Sequence, residues 1–495
     1  MKELAFSNEK YVELQSQKIK ERISQFGDKL YLEFGGKLFD DHHASRVLPG
    51  FEPDSKLKML LALKEEAEIV IVISAHDIEK NKIRSDLGIT YDVEVLRLID
   101  AFREIGLYVG SVTITQYANQ PAADTFKKHL ENLGMKVFLH YTIEGYPSNI
   151  PLIVSEEGYG KNDYIETERP LVVITAPGPG SGKMATCLSQ LYHDHLRGIK
   201  AGYAKFETFP IWNLPLKHPV NLAYEAATAD LNDINMIDPF HLEAYGKTTV
   251  NYNRDVEIFP VLNAIFEKIL GSSPYKSPTD MGVNMVGNCI VNNDVAIQAS
   301  LDEIIRRYYQ ACVDFEKGQI EATAIEKIKM IMSQANITIE QRKCVAPALA
   351  LSEKTEQPAF ALELSDGRII TGKTTSLLGC SSAALLNALK ELAEIDDNIH
   401  LISPTIIEPI QKLKVDTLGN NNPRLHTDEI LLALAICATT DENAAKALEQ
   451  LPKLYFTEAH CSVILSEVDT NIFRKLKVNL TCEPKYQTHK LYHSK

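Results

Sequence analysis

RPLVVITAPGPGSGKMATCLSQLY, residues 169–192, is the stretch that decides the fold of the N-terminal part of this chain. It begins with an apolar run at 171–174, which is typical of a strand buried on both faces of a parallel sheet. A glycine-rich turn at 178–183 ends in Lys183, and residues 184–192 have helical spacing. Backbone amides, a helix N-terminus and an ammonium group all attract negative charge, so this order predicts a binding site for phosphate oxygens.

The glycine turn, residues 178–183, is similar to a phosphate-binding P-loop but departs from the pattern G-x-x-x-x-G-K-[ST] at two positions. Pro177 stands where the first glycine is expected, and Met184 replaces the hydroxyl residue that usually binds magnesium. Either Ser181 or Thr186 could replace that hydroxyl. The residues predicted to bind phosphate are Gly178, Gly180, Ser181, Gly182, Lys183 and Thr186. The alternative is a turn that only joins a strand to a helix, with a solvated lysine.

Cys187 lies near the start of the predicted helix, where thiols are often activated as nucleophiles. However, it shares one apolar helix face with Met184, Leu188 and Leu191. We therefore predict that Cys187 is a core residue, and we keep a reactive thiol as the alternative.

Composition limits the function classes. A chain of 495 residues is too long for one hydrophobic core, so about three domains are expected. The net charge is 52 − 66 = −14, which argues against a general binder of nucleic acid or anionic membranes. A local basic pocket for a phosphorylated small molecule remains compatible with this charge. Eight cysteines without a C-x-x-C pair fit a reducing cytoplasm and argue against structural zinc.

The sequence contains no apolar run of 18 residues, and its N-terminus lacks the apolar core of a signal peptide. We therefore predict a cytoplasmic protein that does not cross a membrane.

Strand and helix patterns alternate before the glycine turn. Predicted strands at 30–34, 68–75, 108–117 and 136–142 are separated by predicted helices at 56–63, 91–105 and 122–133. Repeated β–α–β units predict a doubly wound, mostly parallel sheet. The glycine turn follows about the fifth strand, whereas a typical P-loop follows the first, and this weakens a prediction of NTPase chemistry.

A dense polar loop, FDDHHASRVLPGFEPDSK, follows the first predicted strand at 39–56. Ligands of open α/β sheets bind at the carboxyl ends of strands, and histidine beside carboxylate can transfer protons near neutral pH. We therefore predict acid–base roles for Asp40, Asp41, His42 and His43. The alternative is a solvated polar loop.

Beyond residue 202 the alternating pattern stops, and YAKFETFPIWNLPLKHPVN, residues 203–221, is predicted to be an ordered loop at the sheet edge. Asp230 and Asp233 could bind magnesium beside a phosphate, although helix capping is the competing explanation. Arg254 could bind a phosphate or carboxylate through two hydrogen bonds.

The C-terminal third is predicted to contain a β-hairpin at 359–371, a helix at 381–393, a short strand at 400–402 and a helix at 406–412. Over residues 335–480 this order resembles the cytidine-deaminase-like fold. The positions that carry zinc ligands in that fold read GCSS at 379–382 and SPTII at 403–407. We therefore expect no zinc, and a scaffold or one wall of a site.

Three long strings are EFGGKLFDDHHASRVLPGF at 33–51, VVITAPGPGSGKMATCLSQLYHD at 172–194 and ATADLNDINMIDPFHLEAYG at 227–246. Through them the chain resembles an uncharacterised bacterial group, the domain-of-unknown-function family 1846, over essentially its whole length. The resemblance implies a cytosolic bacterial protein with an N-terminal α/β region and smaller C-terminal domains. It implies no reaction.

The predicted layout has three parts. Residues 1–225 form a Rossmann-like or P-loop-like α/β domain, residues 226–334 a mainly helical domain, and residues 335–495 a smaller deaminase-like α/β domain without the zinc motif.

The predicted function is an enzyme of the phosphotransferase or ligase type that binds a nucleotide, with magnesium, or a phosphorylated metabolite through residues 178–183. The alternative is a non-catalytic nucleotide-sensing or assembly protein. A homo-oligomer is expected in either case. An oxidoreductase that uses a dinucleotide fits poorly, because Gly-x-Gly-x-Gly-Lys is not the G-x-G-x-x-G pattern.

Overall fold

The computed structural model of the protein describes residues 3–27, 29–36, 38–39, 41–84 and 88–487. It divides into two compact units. The first unit comprises Met1–Glu225 and Asp233–Ser300, and the second comprises Ala226–Asn232 and Leu301–Lys495. The division into parts at 1–225, 226–334 and 335–495 stays a prediction.

The first unit is built on a six-stranded parallel sheet, which confirms the predicted sheet type. The strands of this unit are β1 (Leu30–Phe34), β2 (Ala67–Ser74), β3 (Ile83–Arg84), β4 (Ile89–Thr90), β5 (Tyr108–Tyr117), β6 (Lys136–Tyr141), β7 (Leu171–Thr175), β8 (Gly202–Phe206), β9 (Asn235–Ile237) and β10 (Val250–Tyr252). The sheet order is β6-β5-β2-β7-β1-β8, while β3–β4 and β9–β10 form short antiparallel pairs. Strands β1, β2 and β7 are buried along their whole length, as their mainly apolar sequences predict.

The helices that begin in the first unit and precede residue 293 are α1 (Asn8–Gln25), α2 (His42–Val47), α3 (Ser55–Ala62), α4 (Ala75–Glu79), α5 (Tyr91–Glu104), α6 (Pro121–Asn132), α7 (Ile150–Ile153), α8 (Lys183–Leu196), α9 (Pro219–Ala227), α10 (Pro239–Tyr245), α11 (Asn253–Leu270) and α12 (Pro278–Met281). Apolar side chains of α8 and α11 pack on one face of the sheet, against β1, β2, β7 and β8. In the part of the chain that the structure describes, no helix has both the length and the apolar character that crossing a membrane requires.

Cys187 is fully buried in this core together with Leu188 and Leu191, and this burial confirms the predicted core position. Burial raises the pKa of the Cys187 thiol well above its usual value, so the thiol stays protonated at neutral pH.

Strand β8 corrects the sequence analysis, which predicted only a loop from residue 203 onward. Residues 202–206 pair in parallel with β1, from Leu30 beside Gly202 to Phe34 beside Phe206. The prolines that suggested a loop begin at Pro210, after the strand has ended. The charged Lys205 within the strand is tolerated because the carboxylates of buried Asp255 and partly buried Glu207 pair with it.

The second unit contains a four-stranded sheet with the order β12-β11-β13-β14. Its strands are β11 (Ala359–Glu363), β12 (Ile369–Lys373), β13 (Glu458–Cys461) and β14 (Asn479–Cys482). Its helices are α13 (Asn293–Glu316, which begins in the first unit), α14 (Ala322–Gln334), α15 (Val345–Thr355), α16 (Cys380–Leu392), α17 (Pro404–Lys412), α18 (Thr427–Cys437), α19 (Glu442–Leu448) and α20 (Glu467–Lys475). The antiparallel pairing of β11 and β12 confirms the predicted hairpin.

The strand predicted at 400–402 is wrong. Leu401 and Ile402 are buried, but the chain turns there and Ser403 caps α17 by accepting a hydrogen bond from the amide of Thr405. The apolar pair therefore serves the core without entering the sheet. The resemblance of this unit to the cytidine-deaminase-like fold stays a prediction.

Candidate functional site

The glycine turn lies where neighbouring connections of the sheet leave in opposite directions. From β2 the chain passes to β5, toward the β6 edge of the sheet, and from β7 it passes to β8, at the opposite edge. Strands β2 and β7 are neighbours, and such a divergence opens a crevice at the carboxyl ends of parallel strands. The strand order therefore places the turn at the position where open α/β sheets bind ligands.

The backbone of the turn requires glycine at two positions for different reasons. Gly182 has φ +89°, in the left-handed region, and a Cβ atom there would lie 3.1 Å from Oγ1 of Thr115. Gly178 has no such φ, but a Cβ atom there would collide with the hydroxyl group of Tyr91. These constraints fix the path of the chain from β7 into α8.

The backbone amides of the turn and of the first helical turn point to no acceptor in the described ranges. They are the amides of Gly178, Gly180, Ser181, Gly182, Lys183, Met184 and Ala185. The first amide of this segment with an acceptor is that of Thr186, which donates to the carbonyl of Gly182 at 2.9 Å. Grouped amides at a helix N-terminus can donate to an anion.

Lys183 is the first residue of α8, and its side chain is partly buried. Its ammonium group forms no ion pair or hydrogen bond with any residue that the structure describes. The positive charge therefore adds to that of the helix N-terminus without an internal counter-ion.

The turn borders a cavity of about 440 Å³, which we call the glycine-turn cavity. The ends of three parallel strands and the start of α8 contribute to its wall. Its lining comprises Glu33 from β1, Thr115 and Gln116 from β5, His140 and Tyr141 from β6, then Thr142, Ile143, Tyr146, Tyr159 and Asn162, and residues 180–185. The structure thus brings Gly180, Ser181, Gly182 and Lys183 of the predicted site together at one cavity.

The hydroxyl groups near the turn are engaged with its backbone. Thr115 donates to the carbonyl of Ser181 at 2.6 Å, and Ser181 donates to the carbonyl of Gly178 at 2.8 Å. Thr186, which does not line the cavity, donates to the carbonyl of Gly182 at 3.0 Å. The two hydroxyls that sequence analysis offered in place of the P-loop hydroxyl therefore hold the turn in shape.

His140 and Asn162 belong to the lining outside the turn. Nε2 of His140 lies 3.2 Å from the carbonyl oxygen of Asp163, and burial lowers the pKa of His140 to about 3. The imidazole is therefore neutral at neutral pH. Asn162 accepts from the amide of Tyr141 at 2.8 Å and donates to Ser189 at 3.0 Å.

Glu33 is the carboxylate of the cavity wall, and sequence analysis did not select it. Its residue surface is 8% exposed, and one carboxylate oxygen, Oε2, accepts a hydrogen bond of 2.6 Å from the hydroxyl of Tyr203. The negative charge of Glu33 raises the pKa of the Cys187 thiol, and the positive charge of Lys183 lowers it. Both charges therefore act on the same thiol. One ionisable residue inside the apolar strand LYLEF was the available sequence signal.

A second charged group lies on the same face of the sheet, and we call it the Lys205 cluster. Nζ of Lys205 lies 2.6 Å from Oδ2 of Asp255 and 3.2 Å from Oε1 of Glu207. Burial raises the pKa of Glu207 to about 7, although Lys205 acts in the opposite direction. This cation is neutralised within the protein.

Asp41, in the polar loop that was predicted to have acid–base roles, makes contacts that stabilise the fold. Asp41 caps α2 through the amide of Ala44 at 3.1 Å and pairs with Nζ of Lys56 at 2.8 Å. Burial raises the pKa of Asp41, but the charge and hydrogen bond of Lys56, the amide of Ala44 and the charge of His43 together outweigh burial, so the pKa is lowered overall. The next two residues of the loop have different surroundings. His42 is exposed, and His43 packs beside aromatic rings.

Asp40 lies outside the described residues. Asp41, His42 and His43 do not line the glycine-turn cavity. Their acid–base role stays a prediction, as does that of Asp40.

The remaining predicted ligands are not among the residues that line the glycine-turn cavity. Arg254 pairs with buried Asp233 at 3.4 Å and does not line the glycine-turn cavity. Asp230 is exposed and belongs to the second compact unit. Across the described ranges, no group of three or more His, Cys, Asp or Glu residues is arranged to hold a metal ion. Magnesium binding by Asp230 and Asp233 stays a prediction.

Fold and site together define an α/β protein whose parallel sheet carries a glycine–lysine turn beside a cavity. The chain belongs to the family described as domain of unknown function DUF1846, because the N-terminal model of that family matches residues 4–336 and the C-terminal model matches residues 340–492. This match confirms the family predicted from sequence.

Streptococcal relatives match along their full length. A UPF0371 protein of Streptococcus pyogenes serotype M5 (strain Manfredo) is 61% identical over 492 residues, which cover 99% of this chain and 100% of the relative. A UPF0371 protein of Streptococcus thermophilus is 59% identical with the same coverage. These relatives support the predicted bacterial origin.

Proposed function

We propose that this protein is an enzyme that binds a nucleotide or another phosphorylated metabolite in the glycine-turn cavity and transfers a group to or from it. The observation that carries the proposal is the set of backbone amides from Gly178 to Ala185 beside the ammonium group of Lys183, for which the described residues supply neither acceptors nor a counter-ion. The first amides of a helix have no acceptor within the helix, and a bound phosphate would accept hydrogen bonds from several of them at once.

The size of the cavity supports a small-molecule ligand. A volume of about 440 Å³ falls within the range of about 300–1,000 Å³ that is usual for such sites. With phosphate at the turn, we expect the organic part of the ligand to contact lining residues outside the turn, such as Tyr141, Ile143 and Tyr146.

The chemistry of the turn supports group transfer of the phosphotransferase or ligase type. Fixed amides and Lys183 would stabilise negative charge that develops on phosphate oxygens during transfer. Hydrolysis of the usual P-loop kind is less well supported, because Met184 follows the lysine in place of a metal-binding hydroxyl.

A non-catalytic nucleotide sensor is the second candidate. The observation that favours it is the position of Asp41, His42 and His43, which do not line the cavity although sequence analysis offered them as acid–base residues. A ligand that binds without turnover in coupled assays would support the sensor.

The test measures ligand-induced stabilisation by thermal unfolding with ATP, AMP, ribose 5-phosphate and pyrophosphate. A ligand present at about 100 times its Kd should stabilise the wild type by about 2.7 kcal/mol. Lys183→Met should lose this stabilisation. The control Lys128→Met removes the same charge from an exposed position on α6 and should keep it. Equal stabilisation of both variants, or none of the wild type by any of the four compounds, would contradict the proposal.

A further inference from the structure

We infer that Glu33 binds a hydroxyl group of the ligand whose phosphate occupies the glycine turn, so that the ligand is a phosphorylated polyol. This inference rests on the proposed function, because it identifies the group beside the phosphate. A sugar phosphate and the ribose phosphate of a nucleotide share this chemistry.

Glu33 has an acceptor without a donor. Its side chain lies in β1, is more than nine-tenths buried and borders the glycine-turn cavity. Oε2 is bound by Tyr203, but Oε1 receives no hydrogen bond from any residue in the described ranges. A buried carboxylate oxygen without a donor costs free energy, and a ligand group in the cavity would remove that cost.

The carboxylate is held in position before any ligand binds. Tyr203 is fully buried in β8, and its ring packs against Phe266. The strands β1 and β8 are paired, with Glu33 beside Lys205 in the register. The hydrogen bond from Tyr203 therefore fixes the direction of Oε1 without motion of a loop, as preorganised binding sites require.

Charge selects which part of the ligand faces Glu33. A carboxylate repels phosphate, whereas the amides and Lys183 attract it, so the phosphate belongs at the turn and another group belongs at Glu33. Since Glu33 and Lys183 both act electrostatically on Cys187, an ammonium group between them would also be repelled by Lys183. A neutral hydroxyl donor satisfies the carboxylate without this repulsion.

The probes are ribose 5-phosphate, glucose 6-phosphate, AMP and pyrophosphate, with affinities measured by isothermal titration calorimetry on the full chain. Glu33→Gln keeps an amide oxygen that can accept from Tyr203 and removes the negative charge. Hydrogen bonds to a charged group are each worth enough to change affinity about ten- to hundredfold. We expect Glu33→Gln to lose about ten- to hundredfold in affinity for the hydroxyl-bearing phosphate that binds wild type. Its affinity for pyrophosphate, which carries no polyol, should not fall.

Glu68→Gln is the matched control. Glu68 is also a buried carboxylate of this sheet, but it lies at the amino end of β2 and accepts from the amide of Glu168 at 2.7 Å. This variant should leave the affinity for every probe unchanged.

The outcomes separate the two proposals. If pyrophosphate and the other probes all fail to bind wild type, the phosphate site itself is wrong. If pyrophosphate binds wild type, and Glu33→Gln has the same affinity as wild type for every polyol phosphate, the role of Glu33 is wrong and the phosphate site stands. If Glu33→Gln weakens pyrophosphate equally, Glu33 only supports the fold, and the inference is overturned. A loss confined to AMP supports a nucleotide, and a loss confined to the two sugar phosphates supports a sugar phosphate.

Discussion

Two lysines of the first unit have opposite surroundings. Lys205 lies between Asp255 and Glu207, and its charge is neutralised by side chains of the same unit. Lys183 is surrounded by backbone amides that are themselves donors, and it has no ion-pair partner among the residues that the structure describes. A positive charge that the fold needs is therefore paired internally, whereas a positive charge without a structural partner is a candidate for binding something else.

The largest expected effect separates the two lysines by stability. Lys205→Met would leave the carboxylates of Asp255 and Glu207 without their cation, and breaking a buried ion pair costs about 3–5 kcal/mol of unfolding free energy. Lys183→Met breaks no ion pair, so its cost should stay below about 1 kcal/mol. Urea unfolding of both variants measures the difference, and equal costs would remove the distinction between the lysines.

The next effect concerns the backbone that presents the amides. Gly182→Ala combines a left-handed φ with close contact to Thr115 and should cost about 1–3 kcal/mol of unfolding free energy. Gly180→Ala is the control, because its φ is also positive but no atom lies within 4 Å of the added Cβ. Thermal unfolding should rank Gly182→Ala as the more damaging, and pyrophosphate binding should fall with it. The reverse rank would show that Thr115 does not confine the turn.

The pH dependence of stability tests the Lys205 cluster. Burial raises the pKa of Glu207 to about 7, Lys205 and Arg254 lower it, and Asp255 and Glu33 raise it. The folded state therefore holds this proton more tightly than the unfolded chain, whose pKa is about 4.5. The resulting stabilisation is complete below pH 4.5 and is lost as pH rises through about 7.

Glu207→Gln should accordingly reduce the fall in unfolding free energy between pH 4.5 and 7 by about 1 kcal/mol or more. Urea unfolding at a series of pH values measures this slope. A variant with the slope of wild type would place the titrating group elsewhere.

The smallest effect is expected at Arg254, which sequence analysis assigned to phosphate. The guanidinium group is about half exposed and pairs with Asp233 at 3.4 Å, so Arg254→Gln should cost less than about 1 kcal/mol of unfolding free energy. Pyrophosphate affinity should not change, because Arg254 does not line the cavity. A clear loss of affinity would support the original assignment and would extend the site beyond the glycine turn.

Local patterns predicted the strands well. The predicted strands at 30–34 and 108–117 have the same bounds as β1 and β5, and the apolar run at 171–174 lies within β7. Apolar runs that end at turns report burial directly, and burial is what a parallel strand needs. By contrast, β8 was missed because the prolines that follow it suggested a loop. The carboxylate of Asp255, which permits burial of Lys205, comes fifty residues later in the chain.

The candidate site could be predicted only in part. The glycines and Lys183 are consecutive, so their sequence spacing sufficed to group them. The same cavity is lined by Glu33, Thr115 and His140, because the sheet brings the carboxyl ends of β1, β5 and β6 to one edge. No local sequence pattern contains the strand order that does this. Long-range strand pairing decides which side chains meet.

The place of β7 in the sheet also has a consequence for biosynthesis. Because β7 pairs with both β1 and β2, a nascent chain that has not yet reached Leu171 lacks the neighbour that joins its first two strands. We expect ribosome-bound chains truncated before Leu171 to remain open to proteases and longer chains that include β8 to become resistant. Translation of more than two hundred residues would then precede closure of the sheet.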